Sequence, residues 1–221
     1  MNKEKKYKAL RNLTWSLLRS LKLAPYFQLA LESTLVDDGW FNSYYKKESV
    51  DRENNPIPWN TYPFIKFIEP RLKDHFNIFE YGCGNSTIWY SQRVKSITSV
   101  ENDKDWYERI KISLPVNARV VYRELQYGGN YCKEVLNYTE QFNIIIIDGR
   151  DRVNSVKNSV HKLTEDGVFI FDNSGLKQYT EAVSFLNGNK FKSIDFWGMS
   201  PITSHYTNTS IFYKNDNCLE I

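Results

Sequence analysis

Phe79-Glu80-Tyr81-Gly82-Cys83-Gly84-Asn85-Ser86-Thr87, FEYGCGNST, is the stretch whose reading decides the fold. It completes the apolar run FNIFEY that begins at Phe76 and leads into STIWYSQR, which has helical spacing. Together they read as strand, tight turn, helix. Gly82 and Gly84 let the backbone turn sharply and come close to a ligand. In an open α/β sheet such a turn lies at the carboxyl ends of the strands, where ligands bind.

Outward from this turn the same unit recurs. SITSVE, ARVVYREL, FNIIIID and GVFIFD read as strands, and DKDWYERIKIS, NYCKEVLNYTE, RVNSVKNSVHKL and LKQYTEAVSFLNG as the helices between and after them. A βαβα rhythm predicts a parallel sheet with helices on both faces. The unbroken run Ile144–Ile147 predicts a strand buried on both sides. The rhythm then breaks. FKSIDFWG and NTSIFYK both read as strands, with MSPITSHYT, read as a loop, too short to hold a crossover helix. Strands joined that way are antiparallel neighbours.

Upstream, residues 7–35 read as helical with a break at Pro25, so two helices are expected. The expected division is a helical extension over 1–50 and one α/β domain over 51–221. A length of 221 residues with 41% hydrophobic content supports one sizeable core. No apolar run is long enough to span a membrane, and the interrupted N-terminus does not read as a signal peptide. Cys83, Cys132 and Cys218 are odd in number and unpaired in spacing, which fits a reducing cytoplasm. The net charge of +3 is uneven. Residues 1–22 carry seven basic residues against one acid, and subtracting them leaves 22 basic and 25 acidic residues. The body is thus no general polyanion binder, and no nucleic-acid module is present. The extension reads either as packing on the domain or as a basic amphipathic helix lying on an anionic membrane.

Two carboxylates frame the glycine turn. Glu80 precedes it, and Glu101 closes the next strand, where a carboxylate can bind both hydroxyls of a ribose. A dinucleotide fingerprint needs a third glycine, and Thr87 stands there instead. An acid before the glycines suits a cationic ligand better than a pyrophosphate.

With these elements in order, residues 76–214 resemble the class I S-adenosylmethionine-dependent methyltransferases. The resemblance rests on Glu80-Tyr-Gly-Cys-Gly84, Glu101, Ile147-Asp148 and the closing antiparallel pair. It implies a Rossmann-like, doubly wound seven-stranded sheet, mostly parallel, with one antiparallel strand inserted between two others. It implies S-adenosylmethionine as cofactor, over Gly82, Gly84 and Ser86, with Glu80 near its amino-acid end and Glu101 on the ribose. Asn102 and Glu124 become candidates for the adenine pocket, and Asp148 for cofactor contact.

Methyl transfer to a hydroxyl requires the acceptor to be held in line and deprotonated, by a base or a metal. Asp148 and the pair Asp172-Asn173 end neighbouring strands, so they should share the crevice as catalytic or Mg2+-binding groups. That triple resembles the metal-dependent catechol-type O-methyltransferases. Asp151 replaces their lysine, and the overall character is nearer to a bacterial branch of the family. Asp172 reads equally as the cap of a helix starting near Gly175. Arg150 and Arg152 read as binders of an anionic acceptor or as surface arginines. His205, read in the loop between the last strands, is a candidate base. Trp59 and Tyr62, in PIPWNTYP, are candidates for a lid or acceptor contact. The expected activity is O-methylation of a small molecule or glycan, with a homo-oligomer compatible. A scaffold without turnover and a dinucleotide oxidoreductase are the alternatives.

Overall fold

A computed structural model describes residues 3–221. It has seven strands: β1 (Asn77–Tyr81), β2 (Ser96–Glu101), β3 (Ala118–Tyr122), β4 (Phe142–Ile147), β5 (Leu163–Asp172), β6 (Lys192–Ser200) and β7 (Thr203–Tyr213). They form one sheet in the order β3-β2-β1-β4-β5-β7-β6. The first five are mutually parallel, and β7 runs antiparallel to both β5 and β6. The reversed strand is therefore inserted between two others, as expected.

Strand geometry explains why the sheet is buried on both faces. Successive side chains alternate sides, so a run of four isoleucines serves two cores. Ile144 and Ile146 join Phe64, Ile68, Ile78 and Ile170 on one face. Ile145 and Ile147 join Phe79, Tyr81, Phe169 and Phe171 on the other.

Among the described residues ten α-helices flank or precede the sheet: α1 (Lys3–Ser20), α2 (Ala24–Leu31), α3 (Thr34–Asp37), α4 (Trp40–Lys46), α5 (Tyr62–Ile68), α6 (Asn85–Ser91), α7 (Lys104–Ile110), α8 (Asn130–Lys133), α9 (Arg152–Ser159) and α10 (Thr180–Gly188). Pro25 sits in the first turn of α2, where its missing N–H costs nothing, so the expected break between two helices is present. NYCKEVLNYTE makes only the single turn of α8 and a following 3-10 turn at Glu134–Asn137.

One expectation fails. MSPITSHYT is not a loop, because β6 and β7 run into it and meet at Pro201-Ile202, with Ile202 at φ 69°. Met199 still packs on the core, but Ser204–Tyr206 are exposed, because here the ribbon projects past the end of β5. His205 therefore lies on a strand.

Candidate active site

The sheet changes direction of winding between β1 and β4, and the crevice opens there at the strand ends. The Asp148 N–H donates to Tyr81 O at 3.2 Å, and the Gly82 N–H to Val100 O at 2.9 Å. The first bond ties the turn after β4 to the end of β1, and the second ties the turn after β1 to β2. Gly82 has φ +92°, and a Cβ there would lie 3.3 Å from Gly149. A Cβ on Gly149 would lie 2.0 Å from the Tyr131 hydroxyl. Gly149 is thus as constrained as Gly82, and its only sequence signal was the DG step after β4. Gly84 is extended, and a Cβ there would make ordinary contact with Trp106.

Glu80 is 1% exposed. Its carboxylate accepts from the hydroxyls of Ser86, Thr87 (2.5 Å) and Ser99 (2.7 Å). Burial pushes its pKa up to about 7, although these hydroxyls oppose the shift. Glu101 is also buried. One oxygen accepts from the Asn102 and Asp103 N–H groups, both at 2.7 Å, and the other from the Cys83 N–H at 3.2 Å. Its carboxylate is fixed before any ligand arrives. Burial and the nearby carboxylates raise the Cys83 thiol well above its ordinary range, so it stays neutral.

These bonds also decide what the turn can hold. The N–H groups of Gly82, Cys83 and Gly84 go to Val100 O, Glu101 and the Thr87 hydroxyl. A pyrophosphate needs such donors free, and it would face two carboxylates. Thr87, at the third-glycine position, removes one donor itself. The turn lines a cavity of about 350 Å³ with Glu80, Ser86, Glu101, Asn102, Asp148 and Arg150. Buried acids without a cationic partner, fixed at a glycine turn, fit the ammonium and ribose of S-adenosylmethionine. Glu124 lies exposed beyond β3 and does not line this cavity.

A second cavity of about 410 Å³ adjoins the first. Asp148 and Arg152 line both. The second adds Trp59, Asp172, Asn173, His205 and Thr207. Here Arg152 changes the reading of the two aspartates. Its Nη2 donates to Asp148 Oδ1 at 3.1 Å and to Asp148 O at 2.6 Å. Nη1 donates to Asp172 O and to Asn173 Oδ1, and lies 4.0 Å from Asp172 Oδ2. Nε donates to Gly149 O at 2.9 Å. The two strand ends do share a cation, but it is this guanidinium. Asp148, Asp172 and Asn173 therefore do not fit the expected Mg2+ site, because the position between them is taken. Among the described residues no cluster of three or more His, Cys, Asp or Glu is arranged to hold a metal.

Asp172 is not a helix cap either. It is 5% exposed and accepts from Thr209 Oγ1 at 2.7 Å and Asn60 Nδ2 at 3.0 Å. The chain next turns helical only at Lys177, in a 3-10 turn that leads into α10, and Asp172 caps neither. Burial and the neighbouring Asp148 raise the Asp172 pKa to about 7, against the pull of Thr209, Arg152 and Asn60. Burial likewise raises Asp148, while Arg152 opposes it. Burial thus shifts both carboxyls toward the neutral form, and Arg152 opposes that shift in each.

PIPWNTYP lies across these strand ends. Trp59 Nε1 donates to Thr203 Oγ1 at 3.3 Å, and the Thr61 N–H to Thr209 Oγ1 at 3.2 Å. Trp59 stays half exposed over the second cavity. Tyr62 does not reach it, because its ring is buried in the core beneath α5. Arg152, fully engaged, is unavailable to an acceptor; Arg150 is exposed at the rim of the first cavity. Sequence reasoning missed Asn60 and Trp106. The latter holds the glycine turn by donating to Cys83 O at 2.8 Å.

No known family profile and no curated protein sequence matches the chain. Solved structures do. A candidate O-methyltransferase from Klebsiella pneumoniae is 14% identical, with 86% of this chain and 95% of that chain covered and a TM-score of 0.54. Precorrin-6y C5,15-methyltransferase from Geobacter metallireducens is 16% identical, with 69% and 87% covered and a TM-score of 0.51. Spermidine synthase from Thermotoga maritima is 17% identical, with 69% and 56% covered and a TM-score of 0.50. At these identities the likeness is one of fold. The chain has the fold of the class I S-adenosylmethionine-dependent methyltransferases.

Proposed function

We propose that the chain transfers a methyl group from S-adenosylmethionine to a hydroxyl of a neutral, polar acceptor, a small molecule or glycan. One observation carries the reading: the acid-framed glycine cavity and the second polar cavity meet at Asp148. When bound, the cofactor supplies an electrophilic methyl group. The chain's own residues do the rest. Glu80 meets the ammonium and Glu101 the ribose. Asp148 faces both cavities and accepts a hydrogen bond from the acceptor. His205, exposed on the wall of the second cavity, takes the acceptor proton. Asp172 and Arg152 hold Asp148 in place. Trp59 offers a flat apolar face beside Asn173, Ser200 and Thr207, an arrangement that suits a sugar or other polyol. Two acids against one guanidinium give this wall no excess positive charge, which favours a neutral acceptor over an anionic one. S-adenosylhomocysteine release measured over a panel of polyols, phenols and primary amines tests the acceptor class. Turnover with hydroxyl acceptors supports it, and turnover with amines alone refutes it.

Proton linkage follows from Glu80. Its carboxyl, raised to about 7 in the free protein, is partly protonated at neutral pH. A cationic ligand lowers that pKa, so binding releases a proton below about pH 7 and tightens as pH rises toward a plateau. Calorimetry in two buffers of different ionisation enthalpy reads the released proton. Glu80→Gln should bind more weakly and lose the Glu80 share of that release. The same shift makes Glu80's contribution to stability greatest in acid and lost as pH rises through about 7.

A further inference from the structure

The chain's longest helix is not used by the site. In α1 and the residue after it, Leu10, Leu13, Leu17 and Leu21 follow helical spacing along one face. Each is more than half exposed. Lys5, Lys8, Asn12, Ser16 and Arg19 occupy the opposite face. Six basic residues and one acid make up its charge. α2 continues the apolar surface with Tyr26, Phe27, Leu29 and Leu31, all exposed. α1 packs chiefly on α2, α2 on α3 and α3 on α4, so the rest of the chain leaves this surface uncovered. Contiguous apolar surface on this scale marks an interaction site.

Three occupants compete: the chain's own domain, a second copy and a lipid surface. The first is ruled out by the exposure. The second would set two strongly basic helices side by side, and like charge opposes that. An anionic bilayer satisfies both faces at once: leucines enter the acyl boundary and lysines meet the headgroups. No helix among the described residues is long and apolar enough to cross a membrane, so the contact is a lying-down one.

We infer that α1 and α2 dock the protein on the surface of an anionic bilayer. The inference does not depend on methyl transfer, and its test does not measure it. The full chain is sedimented with phosphatidylcholine vesicles, with and without phosphatidylglycerol. Binding only to the anionic vesicles is expected. It should weaken when salt rises from about 0.1 M to about 1 M, which shortens the screening length from about 10 to about 3 Å. The triple variant Lys5→Gln, Lys8→Gln, Arg19→Gln should lower partitioning by on the order of 100-fold. Leu13→Ser with Leu17→Ser should abolish it. These side chains are exposed, so both variants should keep the wild-type melting temperature, which separates docking from folding. Equal binding to neutral vesicles, or no binding, overturns the inference. So does a light-scattering dimer that the leucine variant splits while vesicles remain unbound, because the occupant is then a second copy.

Discussion

Arg152→Ala is expected to cost about 3–5 kcal/mol of unfolding free energy near pH 8, the range for removing one partner of a buried charge pair. The side chain is only 10% exposed and its fork makes contacts that no other group replaces. Without it Asp148 and Asp172 face each other with no cation, and the Gly149 and Asp172 carbonyls lose their donor. The effect should depend on pH with a definite sign. Both aspartates already have raised pKa values, and losing the guanidinium raises them further. The folded variant then binds more protons than the unfolded chain, so its stability falls as pH rises. At pH 5, on the acid side of the raised Asp172 carboxyl, the penalty should shrink. Arg152→Lys should recover little, because one ammonium cannot span Asp148, Gly149 and Asp172 together. Urea denaturation at the two pH values measures this. A penalty independent of pH would mean that Arg152 acts by packing alone.

Glu101→Ala is expected to weaken S-adenosylhomocysteine binding by about 100-fold or more. A charged hydrogen bond contributes roughly 1.5–3 kcal/mol, and a fixed carboxylate offers two to a ribose. The N–H groups of Cys83, Asn102 and Asp103 hold this carboxylate at the cavity wall, so no ordering cost attends binding. Removing it also frees those donors, and circular dichroism should confirm that the variant is folded. Glu101→Asp should fall between, because a shorter side chain cannot keep all three bonds.

How far the sequence foretold this molecule follows from the range of the forces involved. The β1 turn, the two framing acids and the alternation of strands and helices follow local periodicity and turn chemistry, so FEYGCGNST and the strand rhythm were enough for them, whereas the insertion of the reversed strand between two others was implied by the family resemblance. The hairpin tip was misread because its second arm is largely polar and exposed, and hydrophobic alternation is the signal that marks a strand. Arg152 was recognised as a candidate, but its partners lie up to twenty-one residues away, at the ends of β4 and β5. Nothing local says that a guanidinium rather than an ion fills the space between Asp148 and Asp172. Tyr62 and Trp59 are three residues apart and equally aromatic, yet one enters the core and the other stays over the cavity. That choice is made by where α5 packs. Asn60 had no signal, since its amide matters only once Asp172 is beneath it.

A calorimetric titration of the wild-type chain with S-adenosylhomocysteine, run beside NADH, tests the central claim most directly. The account predicts saturable binding of S-adenosylhomocysteine and none of NADH, because the glycine turn has spent its donors and faces two carboxylates. Failure of S-adenosylhomocysteine to bind at millimolar concentration, or tighter binding of NADH, would contradict it.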